Sequence, residues 1–244
     1  MRAPLLLLSA TEFETAPLTT GFKPASDHGS PLPAGWRAQV GELAGVACLA
    51  VATGVGKVNA ALLTGLAVTA YRPGAVLLVG IGGAYPNAGL AIGQAALALS
   101  DTHLDSGVGH GAGWSGLESI GFPLLPAAAH RAEPVYNTVN LAARTNELAQ
   151  RLRVPAVRFG TAEAVTADDV TARLLHSRHG VAIESMEGAA VAQVAAALNV
   201  PLYQVRGVSN LVGDRNKSNW RVQEAVQAAC ATARGLAPLL MEAR

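Results

Sequence analysis

The sequence is short of charge, of aromatic rings, of cysteine and of long apolar runs. Of its 244 residues 14% are charged and 5% aromatic, and the formal net charge is +1. A chain this close to neutrality projects no long-range field toward a polyanion or an anionic bilayer. It also has no basic run and no basic face with interleaved aromatics, so nucleic-acid binding is set aside. Its two cysteines, Cys48 and Cys230, match no metal-ligand spacing and lie in apolar surroundings. Buried free thiols in a reducing compartment are expected. The six histidines do not pair at ligand spacing either, and no metal site is expected. Leu5–Leu8 is too short for a membrane span or a signal-peptide core, and Glu12 and Glu14 follow closely. The expectation is a cytoplasmic protein with no membrane partner.

What is present is small and apolar. Half the residues are hydrophobic, chiefly Ala and Val, which suits helices packed tightly on a buried sheet. Short Val- and Leu-rich runs at Leu5–Ser9, Val46–Ala52, Ala75–Val79, Ala95–Leu99, Ala156–Phe159 and Leu202–Val205 read as strands buried on both faces. Helical stretches lie between several of them: Val58–Tyr71 before Pro73, and Met186–Leu198 before Pro201. A further helix opens at a cap in Thr166-Ala-Asp-Asp169 and runs through Leu175; a last one spans about Trp220 to Leu236. The alternation predicts an α/β fold, with a central, largely parallel mixed β-sheet flanked by helices. No repeat or linker divides the chain, so residues 1–244 are expected to form a single domain. Asp101–Pro126, rich in Gly, Ser and His and without a period, is expected to be a functional loop or lid.

Three familiar motifs fail on inspection. Gly54-Val-Gly56-Lys57 lacks the P-loop's first glycine, since position 51 is Val, and Val58 stands where a Ser or Thr would hold magnesium. Gly80-Ile-Gly82-Gly83 lacks the third spaced glycine of a dinucleotide fingerprint, and a short turn and another strand are expected to follow it. Gly207-Val-Ser209-Asn-Leu211 has Leu where a nucleophile elbow ends in glycine.

Polar residues instead gather at the strand ends, the edge where open α/β sheets bind ligands. They are Ala10-Thr-Glu12-Phe-Glu14; the glycine turns Thr53–Gly56 and Gly80–Gly83; Glu184-Ser-Met-Glu187-Gly188; and Arg206-Gly-Val-Ser209-Asn210. In this order they resemble the methylthioadenosine/adenosylhomocysteine nucleosidases and nucleoside phosphorylases over nearly the whole chain. The specific part is Glu184-Ser-Met-Glu-Gly-Ala-Ala190 followed by Val205-Arg-Gly-Val-Ser-Asn-Leu-Val-Gly213. It is most similar to the futalosine hydrolase branch, which releases hypoxanthine in menaquinone biosynthesis.

The resemblance implies roles. Glu14 would orient and deprotonate the attacking water. Arg206 would hold that water and the carboxylates. Glu187 would bind the ribose hydroxyls, with Met186 as an apolar floor. Ser209 would fix the side chain of Asn210 against the base. The main chain around Val165 would read the purine edge, with Gly82 and Gly83 along its face. The chemistry suits these types: breaking an N-glycosidic bond develops positive charge on the sugar and negative charge on the base. Taken singly, Glu14 is equally a helix-start residue, Glu187 a helix N-terminal acid, Met186 plain core and Arg206 a structural ion pair.

Two positions depart from the family. Adenine-specific nucleosidases carry Asp at the position of Asn210. An amide lacks the acidic proton, but its carbonyl accepts from N7–H while its NH2 donates to an exocyclic oxygen. That pattern matches a 6-oxopurine and opposes adenine. Ile81 stands where the nucleosidases carry a hydroxyl. The reading is thus hydrolysis of a 6-oxopurine nucleoside, with no cofactor and a homodimer or larger oligomer implied by the family. Purine nucleoside phosphorolysis and methylthioadenosine hydrolysis are the neighbouring alternatives; a purine-sensing module without catalysis is the alternative of another class. Phosphate would face Glu12 and Glu14 instead of arginine, and a sensor has no need of Glu14 as a base. For a charged 5′ substituent, Arg215 and Lys217 are candidate partners.

Overall fold

The computed structural model describes residues 3–25 and 30–242. Its first strand, β1 (Leu5–Ser9), shows how the interior is built. Leu5 and Leu7 join one apolar cluster with Val226, Ala229 and Ala233, while Leu6 and Leu8 join another with Ala60, Leu63 and Val191. The run is continuously apolar because helices cover both faces of the strand. Each leucine so buried contributes roughly 1.5–3 kcal/mol.

From β1 the chain continues through α1 (Glu12–Thr19), β2 (Lys23–Pro24), β3 (Ala38–Leu43), β4 (Val46–Ala52), α2 (Lys57–Tyr71), β5 (Ala75–Ala84) and β6 (Ala95–His103). A small hairpin, β7 (Gly107–Val108) and β8 (Ser115–Gly116), precedes β9 (Thr138–Asn140), α3 (Thr145–Leu152) and β10 (Ala156–Thr161). The last elements are α4 (Asp169–His179), β11 (Ile183–Ser185), α5 (Gly188–Ala197), β12 (Leu202–Leu211) and α6 (Val222–Leu240).

The sheet order is β11-β10-β6-β12-β5-β1-β4-β3-β2, with β9 beside β6. Strands β4, β1, β5 and β12 run parallel, as do β6, β10 and β11. An antiparallel β12–β6 pairing joins the two sets, and β2, β3 and β9 add antiparallel strands. This is the mixed, helix-flanked α/β sheet that the alternation of strand and helix predicts. One pairing was not legible: β11 also runs antiparallel to the end of β5, Ile183 opposite Ala84 and Glu184 opposite Gly83. Strands β5, β12, β6, β10 and β11 therefore close into a ring.

Several expected boundaries are corrected. Gly80–Gly83 is strand, not turn, because β5 runs on to Ala84 between β12 and β11. Arg206–Asn210 likewise lies within β12. The irregular segment from Asp101 begins as β6, which reaches His103; beyond it Asp105 pairs with Lys57 and Asn137 holds the carbonyls of His103 and Ser106. Met186 precedes its helix instead of opening it, since Glu187 is the cap of α5. Asp168 caps α4 by accepting from the Thr171 N–H at 2.8 Å. Helix α6 starts at Val222 and runs past Pro238 to Leu240, carried by Leu236 and Ala237 in the core and by the half-buried Leu239 and Leu240 packed against it. Cys48 and Cys230 are both buried and free, as expected.

Candidate active site

A cavity of about 370 Å³ lies where the ends of β1, β5 and β12 approach β11. Glu14, Gly82, Gly83, Val165, Met186, Glu187, Ser209 and Asn210 all line it. Arg206 sits immediately behind, fully buried. The sequence therefore nominated residues that the fold brings together from five separate segments. A larger groove, about 1080 Å³, lies elsewhere along Glu133–Arg144 and contains none of them.

Glu14 is placed by the start of α1. Its Oε2 accepts from the N–H of Thr11 at 3.0 Å and from the Thr11 hydroxyl at 3.1 Å, the reciprocal bond of a helix cap. The helix-start role and the site role thus coexist on one side chain. Its Oε1 accepts from the N–H of Ile81 at 3.0 Å and lies 4.0 Å from the Arg206 guanidinium. Ile81 takes part through its main chain, its carbonyl accepting from Arg206 Nη1 at 3.4 Å. Gly80 leaves the room for this arrangement: a Cβ there would meet the Arg206 guanidinium and lie 2.6 Å from Glu14 Oε1.

Glu187 is the second carboxylate. Its Oε1 accepts from the N–H of Gly56 at 3.2 Å and its Oε2 from Arg206 Nη2 at 3.4 Å. Gly56 caps α2 at φ 94°, a left-handed conformation that glycine adopts without strain. Burial raises the Glu187 carboxyl above its ordinary range, while the Arg206 charge opposes that shift. One cation thus serves two buried carboxylates, which leaves the site net negative. Such a site favours a cationic sugar and disfavours a phosphate dianion.

Behind these residues Asp101 accepts from Thr161 Oγ1 at 2.8 Å and from Gln204 Nε2 at 2.6 Å. Thr161 Oγ1 in turn accepts from the N–H of Ala189, in the first turn of the helix that Glu187 caps. Burial pushes Asp101 up to about 7, against hydrogen bonding from Thr161 and the charge of Arg206.

At the other end, Ser209 Oγ lies 2.7 Å from Asn210 Oδ1 and 3.1 Å from the carbonyl of Gly82, and its single hydrogen goes to the nearer acceptor, Oδ1. Asn210 Nδ2 donates to the carbonyl of Leu211 at 2.8 Å. The register of β12 on β5 slips between Val208 and Asn210, so Ser209 is the extra residue of a bulge. Bulges re-aim side chains in this way.

The reading of the sequence missed several lining residues: Phe13, Val55, Thr166, Glu184, Trp220 and Val222. Phe13, Val55 and Glu184 lie inside the strand-end segments singled out in the sequence, and Thr166 opens the cap segment, but none was given a role; Trp220 and Val222 carried no site signal. Arg215 lines the cavity and stacks 5.1 Å over Trp220, whereas Lys217 lies outside it on an exposed turn. Among the described residues no group of three or more His, Cys, Asp or Glu side chains is placed to hold a metal ion.

The family model of the phosphorylase superfamily matches residues 4–240. The chain belongs to the phosphorylase superfamily. Within it, the chain is 34% identical over 195 residues to futalosine hydrolase of Thermus thermophilus, covering 80% of this chain and 83% of that protein. It is 28% identical over 207 residues to the 5′-methylthioadenosine/S-adenosylhomocysteine nucleosidase of Shewanella pealeana, with 84% of each covered. Among solved superfamily structures, the native futalosine hydrolase of Helicobacter pylori superposes with a TM-score of 0.78 at 17% identity, over 97% of both chains. At that identity the superposition speaks for the fold alone.

Proposed function

We propose that this protein hydrolyses the N-glycosidic bond of a 6-oxopurine nucleoside, futalosine, releasing hypoxanthine. The observation that carries the reading is the convergence of Glu14, Arg206 and Glu187 on the cavity that Asn210 also lines. Glu187 holds the ribose hydroxyls over Met186. A water beside Glu14 Oε1 loses its proton to that carboxylate as its oxygen bonds to the anomeric carbon. The C–N bond breaks with its electron pair passing to the base, whose N7 takes a proton from solvent. Asn210 retains one acceptor site and one N–H beyond its bonds to Ser209 and Leu211, enough for N7–H and O6. The net negative surroundings stabilise the developing sugar cation, and the amide stabilises the departing base.

On this reading the reaction belongs to menaquinone biosynthesis, in the cytoplasm, and the resemblance to futalosine hydrolases supports it. No helix among the described residues is long and apolar enough to cross a membrane. The partner in solution is a second copy of the chain. Val55, Val58 and Leu62 form an exposed apolar stripe along the start of α2, continuous with the cavity through Val55. Incubation with futalosine, inosine and methylthioadenosine, with and without phosphate, tests the assignment. Free sugar from futalosine at a rate independent of phosphate is expected. A 1-phosphate product whose rate rises with phosphate would establish a phosphorylase instead.

A further inference from the structure

Glu184 is a buried carboxylate on the wall of the same cavity, and nothing in the reaction just described uses it. Its Oε2 accepts from the Tyr85 hydroxyl at 2.6 Å and from the Thr166 hydroxyl at 2.6 Å; its Oε1 accepts from the Thr166 N–H at 2.9 Å. A carboxylate offers about four lone-pair sites, so one remains on Oε1. Its place in the sheet is specific. Gly83 of β5 is the register partner of Glu184 on β11 and of Asn210 on β12. The two side chains therefore flank a bare glycine from adjacent strands, roughly 10 Å apart along the row at ordinary strand spacing. Both line the cavity.

We infer that Glu184 is a specificity-determining residue that accepts N1–H of the purine while Asn210 reads O6 and N7 from the opposite side of Gly83. The inference rests on the proposed hydrolysis of a 6-oxopurine nucleoside and deepens it. A 6-oxopurine carries a hydrogen on N1, and a carboxylate is an acceptor only. Adenine carries a lone pair on N1, which would oppose that carboxylate and leave it unpaired in a dry site. Glu184 and Asn210 together thus read the whole N1–H, O6, N7 edge. The bonds to Thr166 and Tyr85 fix the carboxylate, as the bulge and Ser209 fix the amide. Both Oε2 partners are hydroxyls that accept as readily as they donate, so a glutamine retains the tether.

The test compares kcat/KM for the preferred 6-oxopurine nucleoside and its N1-methyl derivative in wild type, Glu184→Gln, Glu184→Leu and Thr166→Val. Wild type should prefer the N1–H substrate by on the order of a hundredfold or more, as expected when a buried hydrogen-bonding group is left unpaired. Glu184→Leu should bring the ratio within about threefold of one, on the same reasoning. In Glu184→Gln the Thr166 N–H keeps the amide oxygen at the Oε1 position, a neutral acceptor, and the ratio should fall between the two. Thr166→Val should lower both rates and keep the ratio. A wild-type ratio in Glu184→Leu, or in Glu184→Gln if the leucine variant does not fold, overturns the inference and leaves Glu184 as a loop tether. Calorimetric binding of hypoxanthine and 1-methylhypoxanthine separates this from failure of the hydrolase reading. If no 6-oxopurine nucleoside is cleaved yet hypoxanthine is preferred and Glu184→Leu removes that preference, only the hydrolase reading falls.

Discussion

Ser209 Oγ lies 2.7 Å from Asn210 Oδ1 and donates to it, so the amide reaches the cavity already oriented, carbonyl and NH2 each with a known neighbour. A hydroxyl that donates to Oδ1 would do the same for a carboxylate. Asn210→Asp therefore keeps the bond from Ser209, loses the one to the Leu211 carbonyl, and changes what is presented to the base. Wild type should favour the 6-oxo over the 6-amino nucleoside bearing the same 5′ group, on the order of a thousandfold in kcat/KM. In Asn210→Asp the ratio should fall by roughly tenfold or more, since the lost NH2 is the donor to O6. An unchanged ratio, with only the overall rate altered, would remove Asn210 from base reading.

Glu14→Gln keeps the shape of the Thr11 cap and removes the base. Its kcat should drop roughly a hundredfold or more, while binding of a non-hydrolysable substrate analogue stays close to that of wild type. Turnover near the wild-type level in a rapid-mix assay would take Glu14 out of the mechanism.

Asp101 gives a pH signature. Its carboxyl is raised by burial from an ordinary value of 3.8 to about 7. Between those values the folded state binds the proton and the unfolded state does not, so raising the pH withdraws stability. The contribution is full below about pH 4 and gone once the pH has risen through about 7. Asp101→Asn mimics the neutral form, and Gln204, whose Oε1 lacks a partner among the described residues, can turn its amide to suit. The variant should match wild type in urea midpoint near pH 4 and gain on it steadily toward pH 8. A constant difference across that range would show that Asp101 does not titrate there.

Val58, 77% exposed at the centre of the α2 stripe, is the place to test assembly. Light scattering should give a dimer or larger for wild type. Val58→Asp should weaken association by roughly tenfold or more, because a carboxylate would be buried without a partner. A wild-type protein that scatters as a monomer at micromolar concentration would sink the second-copy proposal.

Much of this was legible in the residues. The leucines of β1 announce a strand buried on both faces, and the polar segments at strand ends named the residues that meet in the cavity. What was not legible depended on neighbours distant in sequence. Gly80–Gly83 reads locally as a turn, because glycines are turn-formers; it is strand because β12 and β11 pair with it from either side. Three residues of β11 carry no period of their own. Glu184 and Glu187 are three apart in one phrase, and the sequence alone does not say that one is tied to Tyr85 and Thr166 and the other to Gly56 and Arg206. The Ser209 bulge likewise exists only as a register between two strands.

The closed ring has an evolutionary consequence. Every strand that carries one of the proposed base-reading groups has a hydrogen-bonded neighbour on both sides, so Gly83, Glu184 and Asn210 cannot drift separately. The rim of the cavity is carried by exposed or half-buried side chains on loops and helix starts: Phe13, Val55, Val165, Arg215, Trp220 and Val222. Positions of that kind accept substitution far more freely than a paired strand does. If the base binds as proposed, lineages can exchange the group carried at the 5′ end by redecorating the rim, while the choice of nucleobase stays locked in the barrel.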